Sequence, residues 1–269
     1  MLPSLVALAL AGCSDGPVDQ AADDRAAQAR AAMQKVISNA RPVSLDSSTP
    51  LLEWHVAWPA EVSAFPTLER LIRAPAEKAQ VDYAKEAAED KAEREKQGFP
   101  WVGAYQYSVD VTVAGDTPRL LSLAREWSEF TGGAHPNHGT EGILWDRKEW
   151  RRLSADELFS GGEPAFAALV SGAYCTALDR QRAEKRGSEM QIREADNPFN
   201  QCPKLSELAI IPQGPKGGAL GKLLFHADPC VAGRYSESDY DVGLPVTASV
   251  IAAVKREFRA SVAAAQPQG

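Results

Sequence analysis

Beyond its N-terminal segment this 269-residue sequence contains no apolar run approaching the roughly 18 residues that a membrane-crossing helix needs. Positive charge is also in short supply. Lys and Arg together number 29 against 36 Asp and Glu, for a formal net charge of −7 and a pI near 5.3. Nucleic acid is therefore not an expected partner, because neutralising phosphates requires a basic face. Histidine and cysteine are scarce, at 4 residues each. No Gly-x-Ser-x-Gly elbow, phosphate-cradling glycine loop or His-Glu-x-x-His helix occurs, which removes three familiar routes to hydrolysis or phosphoryl transfer. What remains is a globular composition, 44% hydrophobic and 24% charged, sufficient for one large or two small domains.

Leu2 to Ala11 is apolar apart from Ser4, too short to span a bilayer, and runs into Leu10-Ala11-Gly12-Cys13. This ending resembles a bacterial lipobox, although no Lys or Arg precedes the apolar run. The resemblance implies cleavage before Cys13 and acylation of its thiol, so residues 1–12 read as a signal peptide and the acyl chains as the only membrane anchor. Ser14 resembles the outer-membrane sorting pattern, which implies a lipid-anchored protein on the periplasmic side. Residues 13–45, rich in Ala, Asp, Gln and Arg, read as a flexible tether. Within it Asp23 to Ile37 holds good helix formers but only Met33, Val36 and Ile37 as apolar anchors, and order is expected from near Leu51.

The alternation of Leu52, Trp54 and Val56 predicts a strand that Pro59 stops, with His55 on its polar side as a surface residue. From Pro66 the period becomes helical. Pro75 is expected to divide a short helix from a long one over Ala76 to Gln97, which Gly98 closes; Val81, Tyr83, Ala84, Ala87 and Ala88 are its packing residues. Lys85 with Glu89 and Lys91 with Glu95 have the spacing of ion pairs on one helical face. Tyr105 to Val113 and Leu121 to Trp127 predict an antiparallel pair, and Ser154 with Glu157 a capping box. A helix over Glu163 to Arg186 ends at Gly187; strands follow at 208–211, 220–225 and 240–244, and a last helix at 247–258. Strands and helices fall in blocks instead of alternating, so the fold class is α+β, with antiparallel sheets, packed helices and two small subdomains, 46–146 and 147–260.

Between the predicted strands lies Phe130-Thr-Gly-Gly-Ala-His-Pro-Asn-His-Gly139, a shaped loop with three glycines and a proline that keeps His135 out of helical geometry. Together with Leu144-Trp-Asp146, Leu158-Phe159, Val231-Ala-Gly-Arg-Tyr235 and Tyr240-Asp-Val-Gly-Leu-Pro245, it resembles the RsiV-like family of extracytoplasmic domains over residues 51–258. That family includes a lysozyme-sensing anti-sigma factor ectodomain and a domain attached to peptidoglycan deacetylases. The chain departs from the pattern at Cys230, where members commonly carry an aromatic residue. The resemblance implies a non-catalytic binding or sensing module at the cell envelope. Its ligand would be a lysozyme-like protein or peptidoglycan, met by the candidate loop Gly132, Gly133, His135, Pro136 and Asn137.

The alternative is a metal-assisted hydrolase of cell-wall glycan that uses His135 and His138, joined by His226 or a nearby carboxylate. Two histidines in a Gly-Pro loop do not make a site, and a backbone hydrogen bond from His135 is the preferred reading; no catalytic residue, metal or cofactor is assigned. Glu237, Asp239 and Asp241 are expected to be solvated. Setting Cys13 aside leaves Cys175, Cys202 and Cys230, an odd number in an oxidising compartment. A Cys175–Cys202 bridge would pin the loop after the long helix; Cys202 with Cys230 is the other pairing.

Overall fold

The computed structural model describes Lys35 and residues 38–187 and 197–264. Cys13, the signal segment and most of the tether lie outside the described residues. From Arg41 onward the chain forms one compact unit.

Order starts earlier than the apolar pattern suggested, with strand β1 (Val43–Ser48). Its alternation is weak because no residue of it is fully buried. It gains its partner by antiparallel pairing with β2 (Leu52–Trp58). After the single turn α1 (Ala60–Ser63) comes α2 (Pro66–Lys96), one continuous helix and not two. Pro75 lies on the exposed side, one turn after the 41% exposed Leu71 whose carbonyl loses its N–H partner, while Leu68, Ile72 and Ala76 keep the opposite stripe buried. Val81 is 68% exposed and does not pack, whereas Ala87 does. Gly98 (φ +79°) closes α2, and Gly187 (φ +64°) closes the later long helix in the same left-handed conformation.

The helix carries the chain back so that β3 (Tyr105–Asp116) lies parallel to β2. This is the one departure from the expected antiparallel order. Strands β4 (Leu120–Phe130), β5 (Asn137–Asp146) and β6 (Arg151–Arg152) then add antiparallel neighbours, giving a sheet in the order β1-β2-β3-β4-β5-β6. One face of the sheet is apolar. Trp54 and Val56 sit beside Tyr107 and Val109, Leu121 and Leu123 beside Trp145 and Ile143, and α2 covers part of this face, with the Trp54 indole donating to the Ala76 carbonyl at 3.0 Å. The other face is polar. Register aligns Asp46, His55, Ser108, Ser128 and His138 in one row across five strands, with Asp110, Glu126 and Thr140 in the next.

Helix α3 (Ala155–Leu158) begins at Ser154, whose backbone N–H donates to Glu157 at 2.9 Å, and α4 (Gly162–Arg186) follows. A second sheet of β7 (Ala209–Gln213), β8 (Lys222–Ala227) and β9 (Tyr240–Pro245) is antiparallel throughout. Phe166, Val170, Tyr174 and Leu178 of α4 share a core with Leu223, Phe225, Tyr240 and Val242. Each such side chain contributes about 1.5–3 kcal/mol by burial. Strand β7 crosses the polar face of the first sheet at Gly142, where a Cβ would stand 2.4 Å from the Ile210 carbonyl oxygen; glycine permits the approach.

The predicted last helix is cut short to α5 (Ala248–Ala253). Val254 leaves the helix to bridge Phe159, and Lys255 donates its N–H to Leu158, so tertiary pairing overrides helical periodicity. A 3-10 segment over Arg256–Ser261 then laps back onto the core: Phe258 is buried, Val262 bridges Leu220, and the Thr117 hydroxyl donates to that of Ser261 at 3.1 Å. Cys175 and Cys202 are joined in a disulfide with Cα atoms 5.6 Å apart; Cys230 is free and exposed. Together these elements make the α+β class of two antiparallel-rich sheets with packed helices.

Candidate functional site

The part of the polar face that β7 leaves uncovered becomes one wall of a cleft of about 520 Å³. Ser108, Asp110, Glu126, Ser128, His138 and Thr140 come from the first sheet; His226, Asp239 and Asp241 come from the hairpin of β8 and β9. Four carboxylates line it, and no lysine or arginine does. A net negative, partly enclosed surface of this kind attracts cationic groups.

His226 stands at its centre, 8% exposed. Direct pairing of β8 with β9 places it opposite Asp241, whose Oδ1 is 2.7 Å from Nδ1, while Nε2 lies 3.0 Å from Asp228 Oδ1. Burial alone would pull the imidazolium down, but hydrogen bonds to Asp228 and Asp241 outweigh it and lift its pKa to about 10. The same contact with His226 holds the Asp241 carboxyl below the usual carboxylate range. Asp228 also accepts the Thr140 backbone N–H at 2.9 Å, which joins the hairpin to β5. A second link is His138 Nε2 with Asp239 Oδ1 at 3.2 Å.

The glycine-rich loop is fastened beside this cleft. The His135 ring stacks on Tyr235 with centroids 3.7 Å apart, and the Tyr235 hydroxyl donates to the Pro136 carbonyl at 2.7 Å. His135 Nδ1 also lies 3.1 Å from the Pro136 oxygen, the backbone contact expected of it. Asn137 reaches Glu129 at 3.4 Å; Gly132 adopts φ +87°, and both loop glycines are exposed. His135 and His138 both meet the Tyr235 ring, the first stacked on it and the second edge-on with centroids 6.3 Å apart, while Nε2 of His138 turns to Asp239. His138 and His226 do enter the same cleft.

The acidic trio is not merely solvated. Glu237 is held by Arg186 at 2.9 Å and by the Tyr240 hydroxyl, Asp239 meets His138, and Asp241 meets His226. Burial would raise the Glu237 carboxyl, but Tyr240 and Arg186 keep it below its ordinary value. Asp228, Thr140 and Tyr235 were missed as site residues. The signal for the first was its place two residues past a histidine at a strand end, a spacing that lets the carboxylate turn back onto the ring. Among the described residues, His226, Asp228 and Asp239 form the one group of three whose donor atoms could share a metal ion, lying within 4.8 Å of one another.

Comparison with known proteins places this geometry in context. The family model described as deacetylase PdaC matches residues 45–138, from β1 to the start of β5 and including the glycine-rich loop. A DUF3298 family protein from Pseudomonas aeruginosa PAO1 superposes with a TM-score of 0.53 at 14% identity, over 83% of this chain and 98% of that one. A member of the same family from Bacteroides fragilis NCTC 9343 reaches a TM-score of 0.43 at 14% identity, over 77% and 90%. The first of these shares the fold. No curated protein matches the chain.

Proposed function

We propose that this protein is a lipid-anchored module of the bacterial envelope that binds, without transforming, a lysozyme-like protein or a peptidoglycan fragment. The observation that carries the reading is the preformed surface: a glycine-rich loop clamped by Tyr235 beside a cleft lined by Asp110, Glu126, Asp239 and Asp241. A surface already fixed in its binding shape loses little entropy on association. Its negative charge suits a basic protein better than an anionic glycan, and the overall charge of −7 would speed that encounter at low salt. The PdaC match over the sheet and loop, together with the motifs that resemble RsiV-like domains, supports the same compartment and ligand class.

The test is calorimetry of the chain carrying Cys13→Ser against lysozyme and against peptidoglycan fragments. Saturable binding that weakens at least tenfold in Tyr235→Ala supports the reading. Absence of binding to both ligands removes it.

A further inference from the structure

We propose that His226, Asp228 and Asp239, with His138 adjoining them through Asp239, form a binding site for one divalent transition-metal ion, zinc in the first instance, that clips the β8–β9 hairpin to the first sheet. This goes beyond the binding reading and stands whether or not a macromolecule docks in the cleft.

The donor spacing carries the inference. His226 Nε2 and Asp228 Oδ1 are 3.0 Å apart, and His138 Nε2 and Asp239 Oδ1 are 3.2 Å apart. With metal–ligand distances of about 2.0–2.1 Å, adjacent corners of a tetrahedral zinc site are separated by roughly 3.3 Å. Both pairs already have the length of a tetrahedron's edge. The widest separation among His226, Asp228 and Asp239 is within 4.8 Å, and Asp239, whose side chain is 32% exposed, has room to close it by a change of rotamer.

Groups around the donors have the arrangement a metal site needs. Asp241 binds Nδ1 of His226 at 2.7 Å, which directs Nε2 inward and makes it the coordinating nitrogen. The Thr140 N–H fixes Asp228 at 2.9 Å. The cleft lining also holds Asp110, Glu126 and Asp241 and neither lysine nor arginine, although Lys185 donates to the Asp239 carbonyl beside it; the excess of carboxylates favours a cation there. Two imidazoles with two carboxylates suit zinc better than calcium or magnesium, which take oxygen ligands. On binding, the cation takes the place of the proton on His226 Nε2, and that proton passes to solvent.

The experiment uses the full chain with Cys13→Ser and Cys230→Ser, so that no free thiol competes, stripped with a chelator and titrated with zinc chloride. One zinc per chain with micromolar or tighter affinity, a raised unfolding temperature and no displacement by excess calcium or magnesium is the expected result. Asp239→Asn should weaken zinc binding at least tenfold while lowering the unfolding temperature of the metal-free protein only slightly, because it loses the partly exposed His138 contact but leaves intact the bonds that hold His226. His135→Ala should bind zinc as the parent does. No saturable zinc binding, or equal affinity in Asp239→Asn, overturns the proposal.

Discussion

Arg182 offers the most direct test of how the cleft is held. It is 0% exposed near the C-terminal end of α4, and its guanidinium donates to the Ala232 carbonyl at 2.8 Å, the Gln201 carbonyl at 2.8 Å and the Asp179 carboxylate at 3.2 Å. It thus ties the loop bearing Cys202 to the turn that carries Asp228. Burial depresses its pKa, so part of what the hydrogen bonds contribute is offset by desolvation. Arg182→Met keeps the aliphatic stem and removes the charge, yet the two carbonyls are fixed by the backbone and stay behind. The fully buried Ala232 carbonyl loses this partner at about 1–3 kcal/mol, and with the bonds to the half-buried Gln201 carbonyl and Asp179 also gone the net loss should be roughly 2–4 kcal/mol, and nearer 3–5 for Arg182→Ala, where packing is lost as well. Urea unfolding followed by tryptophan fluorescence measures it; with a slope of about 2 kcal/mol/M the midpoint of Arg182→Met falls by roughly 1–2 M. Stability of Arg182→Met within 0.5 kcal/mol of the parent would refute the reasoning, since desolvation would then balance the bonds it makes.

Three further outcomes follow from the packing. Replacing both Cys175 and Cys202 by Ser releases a bridge of sequence separation 27, for a loss of about 3.5 kcal/mol and a fall in Tm of roughly 7–14 °C by scanning calorimetry; a fall under 3 °C would contradict it. Gly142→Ala places a Cβ 2.4 Å from a backbone oxygen of β7 and should destabilise by about 1–3 kcal/mol in thermal melts, whereas Gly172→Ala, with open space around it, should not. Asp146 is fully buried under Arg119, with both bonds at 2.8 Å. Burial alone would raise its carboxyl, but Arg119 and the backbone N–H groups of Lys148 and Glu149 hold it below the ordinary value. Its folded pKa being depressed, the stabilisation is complete above the unfolded value of about 3.9 and is lost as pH falls through the folded value. Acid unfolding should therefore steepen below pH 4 in the parent and flatten in Asp146→Asn; parallel curves would contradict the assignment.

Much of the fold was legible where periodicity and burial coincide. Tyr105 to Val113 alternate because one face of the sheet is apolar and the other polar, and the Gly98 and Gly187 stops are local backbone chemistry. The parallel pairing of β2 with β3 was not legible, since alternation states which face is buried and not which neighbour lies alongside. Asn137 to Gly142 carries too few apolar residues to announce a strand; it is one because β4 extends to pair with it. Pro75 and Val254 misled in opposite directions, one tolerated on a solvent face, the other drawn out of a helix by Phe159. The site was visible only in pieces. His226 and Asp241 each had an ordinary polar context, and the register that sets them opposite depends on a hairpin loop too long for its length to be informative.

The lap of residues 254–262 over the core has a consequence for the newborn chain. Thr117 and Leu220 gain their contacts with Ser261 and Val262 only when those residues arrive, and the first of these contacts spans 144 positions. At about 5–20 residues per second, a ribosome exposes Thr117 roughly 7–29 s before Ser261 exists to cover it. During that interval the apolar start of β4 is an adhesive surface, and this core closes only after residues 254–262 have been made.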